Sequence, residues 1–176
     1  MFEHVKIGAI ALLLLLAGVV SHGLPHAMGV STVGAVGMLA AAYLPRSYSL
    51  IPVLGTVLIV DAMNGFYAAL AMAFVYAAHL AASFAVRSPL VRIRVQSVAI
   101  ASILSAVVFY LISNITPMAM GFYPNTLAGW AACYVAGLPF LLKGILANAV
   151  FGGMAFTVIE WIGARNADRL AAAKRH

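Results

Sequence analysis

A chain of 176 residues that is 65% hydrophobic and 8% charged lacks the polar surface to cover a globule in water, where about a quarter of residues are charged. Its solvent is therefore lipid, and residues 1–176 suit one compact integral membrane domain. The formal charge of +6 does not indicate nucleic acid. The basic residues lie between apolar runs, where they act as topology signals and face anionic headgroups. The single cysteine, Cys133, excludes an internal disulfide.

A bilayer crossing takes about 20 helical residues, fewer where flanking side chains snorkel or the bilayer thins. The first apolar run, residues 7–21, predicts a span. With Met1–Lys6 before it, this run resembles a signal peptide with Val19 and Ser21 as a cleavage site. Its continuation into a polar, histidine-bearing loop favours a retained helix. Pro25 interrupts helix in the 22–26 segment. Residues 30–44 predict a second span ended by Pro45-Arg46-Ser47, and residues 49–62 a third, closed by the Asn64-Gly65 turn signal. The fourth covers 66–86, and a basic connection with Arg87, Arg92 and Arg94 leads to the fifth, 95–113.

After the stop at Asn114-Ile115-Thr116-Pro117, residues 126–136 predict a short helix at the outer interface, where Trp130 and Tyr134 suit the headgroup level. Asn125 or Thr126 would cap it. Residues 139–163 complete a sixth span. Continuously apolar runs exclude a membrane barrel, whose strands alternate. The expected fold is an all-α membrane protein of six transmembrane helices with both termini cytoplasmic. This threading puts Lys6, Arg46, Arg87, Arg92, Arg94, Arg165, Arg169, Lys174 and Arg175 on one side, as the positive-inside rule asks of a multi-pass protein of the bacterial cytoplasmic (inner) membrane. Lys143 alone among the bases falls inside an apolar stretch.

Polar groups in hydrocarbon are costly and face a cavity or one another. On the outer side they are His22, His26, Asp61, Asn64, Asn114, Tyr123, Asn125, Lys143 and Asn148. Asp61 and Lys143 either tie the third helix to the sixth or line an outward pocket. His22 and His26 have the spacing of nickel, cobalt or zinc ligands, but Pro25 interrupts the helix that would align them, so neither metal nor other cofactor is expected. His79, deep in the fourth helix, is expected to hydrogen-bond a neighbouring helix, and Cys133 to be a small apolar filler. Alanines 69, 73, 77, 81 and 85 recur every four residues, as internal packing or as a docking face for a partner. No nucleotide loop, HExxH, Gly-x-Ser-x-Gly or close acid pair occurs, so the chain does not read as an enzyme.

Asn114, the run Tyr123-Pro124-Asn125-Thr126-Leu127-Ala128-Gly129, and Cys133-Tyr134 followed by Leu138-Pro139-Phe140 carry a resemblance. Asp61 ahead of Gly65-Phe66 and Pro25-His26 add to it. The chain resembles the S components of energy-coupling factor (ECF) transporters, and more closely an uncharacterised bacterial membrane family related to them. The resemblance implies a substrate-capture protein for a vitamin or micronutrient, with an outward pocket and, as partners, a transmembrane coupling subunit and ATPases. On that reading Asp61 and Lys143 orient charge, and Asn64, Asn114, Asn125 and Asn148 supply hydrogen bonds. His26 lies at the entrance, and Tyr123, Trp130 and Tyr134 form an aromatic lid. The first helix lacks the Ala-x-x-x-Ala docking pattern of such S components. Two other readings remain: a structural or assembly subunit of a larger membrane complex, and a metal or proton permease using Asp61 and the histidines.

Overall fold

A computed structural model describes residues 2–23 and 31–173, with side chains described for 5–22 and 31–166. Its elements are α1 (Phe2–Gly23), α2 (Val33–Tyr43), α3 (Arg46–Asn64), α4 (Ala69–Ala85), a 3-10 turn (Pro89–Val91), α5 (Val95–Ser113), α6 (Ile115–Ala119), α7 (Leu127–Ala147), a π-helical turn (Asn148–Gly152) and α8 (Gly153–Ala173). No strand occurs among the described residues.

The organising element is α2. Eight of its 11 residues are buried, so it is apolar all round, as a helix enclosed by others must be. One face, with Val33, Ala40 and Leu44, packs on Ala11 of α1 and on Val53 and Val57 of α3. The other, with Met38, Leu39 and Ala41, meets Val86, Leu90, Ala101 of α5 and Phe156 of α8. Small polar groups let the backbones approach: Ser83 Oγ of α4 donates to the Gly37 carbonyl of α2 at 3.1 Å, and Thr56 Oγ1 of α3 to the Leu15 carbonyl of α1 at 3.4 Å. Such contacts drive helix association where lipid removes the hydrophobic gain. The outer surface carries Leu13, Ile100, Leu142, Leu146 and Val158, all exposed, a coat suited to acyl chains.

Among the described residues four stretches are long and apolar enough to cross a membrane: Val5–His22, Arg46–Asn64, Val95–Ala119 and Leu127–Asn166. The second and fourth predicted spans form shorter apolar helices, Val33–Tyr43 and Ala69–Ala85. The fourth starts late because the chain turns at Gly65 with φ +93° and stays extended at Ala68.

The expected separate interfacial helix is corrected. Residues 126–136 and 139–163 belong to one helical run, with Pro139 inside α7 and a π turn joining α7 to α8. Pro139 leaves only the Val135 carbonyl without its helical donor, and a long helix anchored on both sides of that point tolerates the loss. The predicted cap holds at Thr126, whose Oγ1 accepts from the Gly129 N–H at 3.1 Å.

At the other end of the bundle Arg87 does more than signal topology. Its guanidinium donates to the Leu44 carbonyl at the end of α2 (2.8 Å) and to Ser49 Oγ on α3 (3.2 Å). Tyr43 donates to Glu160 at 3.1 Å, tying α2 to α8.

Candidate functional site

A cavity of about 740 Å³ lies between α2, α4, α5, α6 and α7. Its upper part is bounded by His22, Ser31, Ser113, Asn114, Pro117 and Tyr123. These belong to the ends and connections remote from Arg46 and the Arg87–Arg94 segment. Its lower part is bounded by His79 and Ser83 of α4, Ser105 and Phe109 of α5, and Asn148 of the π turn. Ser105 is nine residues from Asn114 on α5, about 14 Å by helical rise, so the cavity runs deep. Among the described residues no Asp, Glu, Lys or Arg lines it.

Each wall residue has a structural cause. Gly34 and Gly37 open the α2 side, and Gly137 and Gly144 the α7 side. At Gly34 an added Cβ would run into Asn148 Oδ1. Asn148 is 4% exposed, and its Nδ2 donates to the Ser102 carbonyl at 3.2 Å. Asn114 is fixed through Nδ2 to the Tyr110 carbonyl at 2.8 Å, and an added Cβ at Gly137 would reach Asn114 Oδ1 at 2.5 Å. Cys133, 2% exposed, donates through Sγ to the Asn114 carbonyl at 3.4 Å.

Of the predicted ligand residues, Asn114, Tyr123 and Asn148 line the cavity, as does His22. His26 lies outside the described residues. Asp61, Asn64, Asn125, Trp130, Tyr134 and Lys143 are placed elsewhere. Asp61 accepts from Tyr76 at 2.8 Å and from Tyr67, which closes α3 onto α4. Burial, then the nearby Asp61 charge and hydrogen bond, push the Tyr67 phenol above its ordinary range. Lys143 sits on α7 with Nζ 5.8 Å from the Phe140 ring centre. In place of the expected choice between an Asp61–Lys143 tie and a shared pocket, the carboxylate is clasped by tyrosines and neither residue lines the cavity. Asn64 is exposed at the end of α3.

The expected aromatic lid is a brace. Trp130 Nε1 donates to Asn125 Oδ1 at 3.0 Å and stacks on Tyr134. Tyr134 donates to the Leu111 carbonyl at 2.7 Å, while Tyr110 donates to the Tyr134 carbonyl. Together they lock α7 to α5 beside the cavity.

Sequence reading missed the lower lining. His79 packs its ring on Phe109 of α5 at 4.4 Å between centres. The available signal was that His79, Ser83 and Ser105 are polar residues deep in apolar runs. Among the described residues no group of three His, Cys, Asp or Glu could hold a metal. The alanine row also divides: Ala69, Ala73 and Ala77 are exposed, while Ala71, Ala78 and Ala82 are the buried packing positions.

These features define an all-helical protein with several helices of membrane-span character and a mostly apolar cavity whose described lining carries a few polar but no charged side chains. A model for a family of unknown function, DUF6580, matches residues 3–171, and the chain belongs to that family. Comparisons with curated proteins and with solved structures give no match.

Proposed function

We propose that this chain is a substrate-capture component of a small-molecule uptake system in the bacterial cytoplasmic membrane, similar in role to an ECF S component. In this reading it crosses six times with both termini inside and takes its ligand from outside. The observation that carries the reading is the cavity of about 740 Å³ whose described lining holds serines, asparagines, histidines and tyrosines but no charged side chain. A volume in the range of ordinary ligand sites, mostly apolar with a few convergent polar groups, suits a vitamin- or micronutrient-sized molecule. The end bounded by Ser31, Asn114 and Tyr123 lies away from the basic connections, hence outward by the positive-inside rule.

An uncharged lining favours a neutral ligand, since a buried unpaired ion would find no counter-charge. Asn114, Tyr123 and Asn148 are the ligand contacts retained from the sequence, joined by His79, Ser83 and Ser105. A thermal-unfolding screen of the purified protein against neutral vitamins and micronutrients tests this. At least one compound should raise the midpoint, Ala136→Trp in the cavity wall should abolish the shift, and Asp61→Ala should preserve it. A shift that survives Ala136→Trp, or no shift with any compound, would sink the proposal.

The exposed alanines 69, 73 and 77 favour a second reading, an assembly subunit that docks through α4. A stoichiometric partner that co-purifies in mild detergent and is lost in Ala77→Leu would select it. A coupling subunit and ATPases would be the partners under the first reading.

A further inference from the structure

The inner end of the cavity differs chemically from its mouth. Asn148 is nine-tenths and more buried, yet lines the cavity. One Nδ2 hydrogen goes to the Ser102 carbonyl. Oδ1 lies against Gly34, itself a lining residue, and so sits on the cavity wall. An amide oxygen on a cavity wall can accept from a ligand, so a group there with an N–H to offer would be favoured. The backbone adds a second, independent sign. Asn148 opens the π turn, Asn148–Gly152, and such single turns inside α-helices recur at functional sites. That turn packs against α2 and α5, where Asn148 lines the cavity.

The surroundings narrow the class of group further. Phe109 and the His79 ring packed against it at a 37° tilt form an aromatic wall. Ser83 and Ser105, both almost fully buried, add short hydroxyls. Ser83 Oγ already donates to the Gly37 carbonyl, which leaves its oxygen able to accept. With no guanidinium or ammonium in the described lining, a carboxylate would be unpaired there. An uncharged amide on a flat ring satisfies the set, because its N–H meets Asn148 Oδ1 and its plane lies along the Phe109–His79 wall.

Resting on the capture reading, we infer that the inner end of the cavity recognises an uncharged carboxamide or lactam carried on an aromatic or heteroaromatic ring, with Asn148 as the specificity-determining residue. Benzamide, benzoate and acetophenone make a matched set of probes: the same ring with an amide N–H, with a negative charge, and with a carbonyl alone. Ligand-observed NMR titrations of the full-length protein in micelles should show benzamide binding at least tenfold more tightly than either of the others. Asn148→Leu should reduce benzamide to the acetophenone level. Phe109→Leu, which leaves Asn148 in place, should weaken both neutral probes while preserving their ratio. Equal affinity for the three, tighter binding of benzoate, or no benzamide binding overturns the inference. A benzoate preference would leave the capture reading standing with a different ligand class, whereas that reading falls on the separate thermal screen.

Discussion

Replacing Gly34 tests a close helix approach at the cavity wall. Any Cβ at this position collides with Asn148 Oδ1 and crowds the amide carbon at 2.9 Å and Nδ2 at 3.0 Å. The amide has little freedom to retreat, because Nδ2 is held by the Ser102 carbonyl. Gly34→Ala must therefore push α2 off the π turn or break that hydrogen bond. Overpacking costs about 1–3 kcal/mol and a lost buried hydrogen bond about 0.5–1.5 kcal/mol, so a loss of roughly 1–3 kcal/mol is expected. Gly8→Ala is the control: nothing lies within 4 Å of its added Cβ, and alanine improves helix propensity by up to about 1 kcal/mol. Unfolding by SDS titration in mixed micelles measures both. The double variant Gly34→Ala with Asn148→Ala removes the obstacle, so its loss should be smaller than the sum of the single losses. If Gly34→Ala unfolds at the same SDS fraction as Gly8→Ala, or the two changes at 34 and 148 simply add, the packing argument for this wall is wrong.

Arg87→Ala should lower stability by about 1–3 kcal/mol, since it removes two charge-assisted hydrogen bonds to the α2–α3 connection; Arg87→Lys should recover only part, lacking the two-pronged geometry. Tyr76→Phe should cost about 1 kcal/mol by leaving Asp61 one donor short, with ligand-induced thermal shifts intact because Asp61 lies outside the cavity. Cys133, at 2% exposure, should react with N-ethylmaleimide at least tenfold more slowly in the folded protein than in SDS, read by mass spectrometry. The raised Tyr67 pKa means the fold binds the neutral phenol more strongly than the unfolded chain does, so stability falls as pH rises above about 10, the ordinary tyrosine value. Asp61→Asn should make part of the 295 nm tyrosinate signal appear at lower pH than in the natural chain.

How much of this was legible beforehand varies with the kind of interaction. The helical class and most helix positions follow from runs of apolar residues, because a bilayer imposes length and composition locally. The Thr126 cap is local too, needing only the next three residues. Pro139 misled because proline's penalty depends on what holds the helix on either side, which lies beyond its neighbours in sequence. Asp61 and Lys143 drew attention as rare charges. Their partners are set by which helix faces meet, and α3 meets α1, α2 and α4.

The lower cavity marks the same division. His79, Ser83, Ser105 and Asn148 were visible as polar residues in apolar helices, but their convergence was not. Convergence depends on helix rotation, on the π turn that admits an extra residue at 148, and on glycines that let α2 and α7 approach. By itself, the sequence determined the helical architecture and its apolar runs of membrane-span length, because hydropathy acts residue by residue. Only the tertiary structure decided which polar groups share one space and which are spent holding helices together. That outcome belongs to pairs of surfaces from distant parts of the chain, and no single segment encodes it.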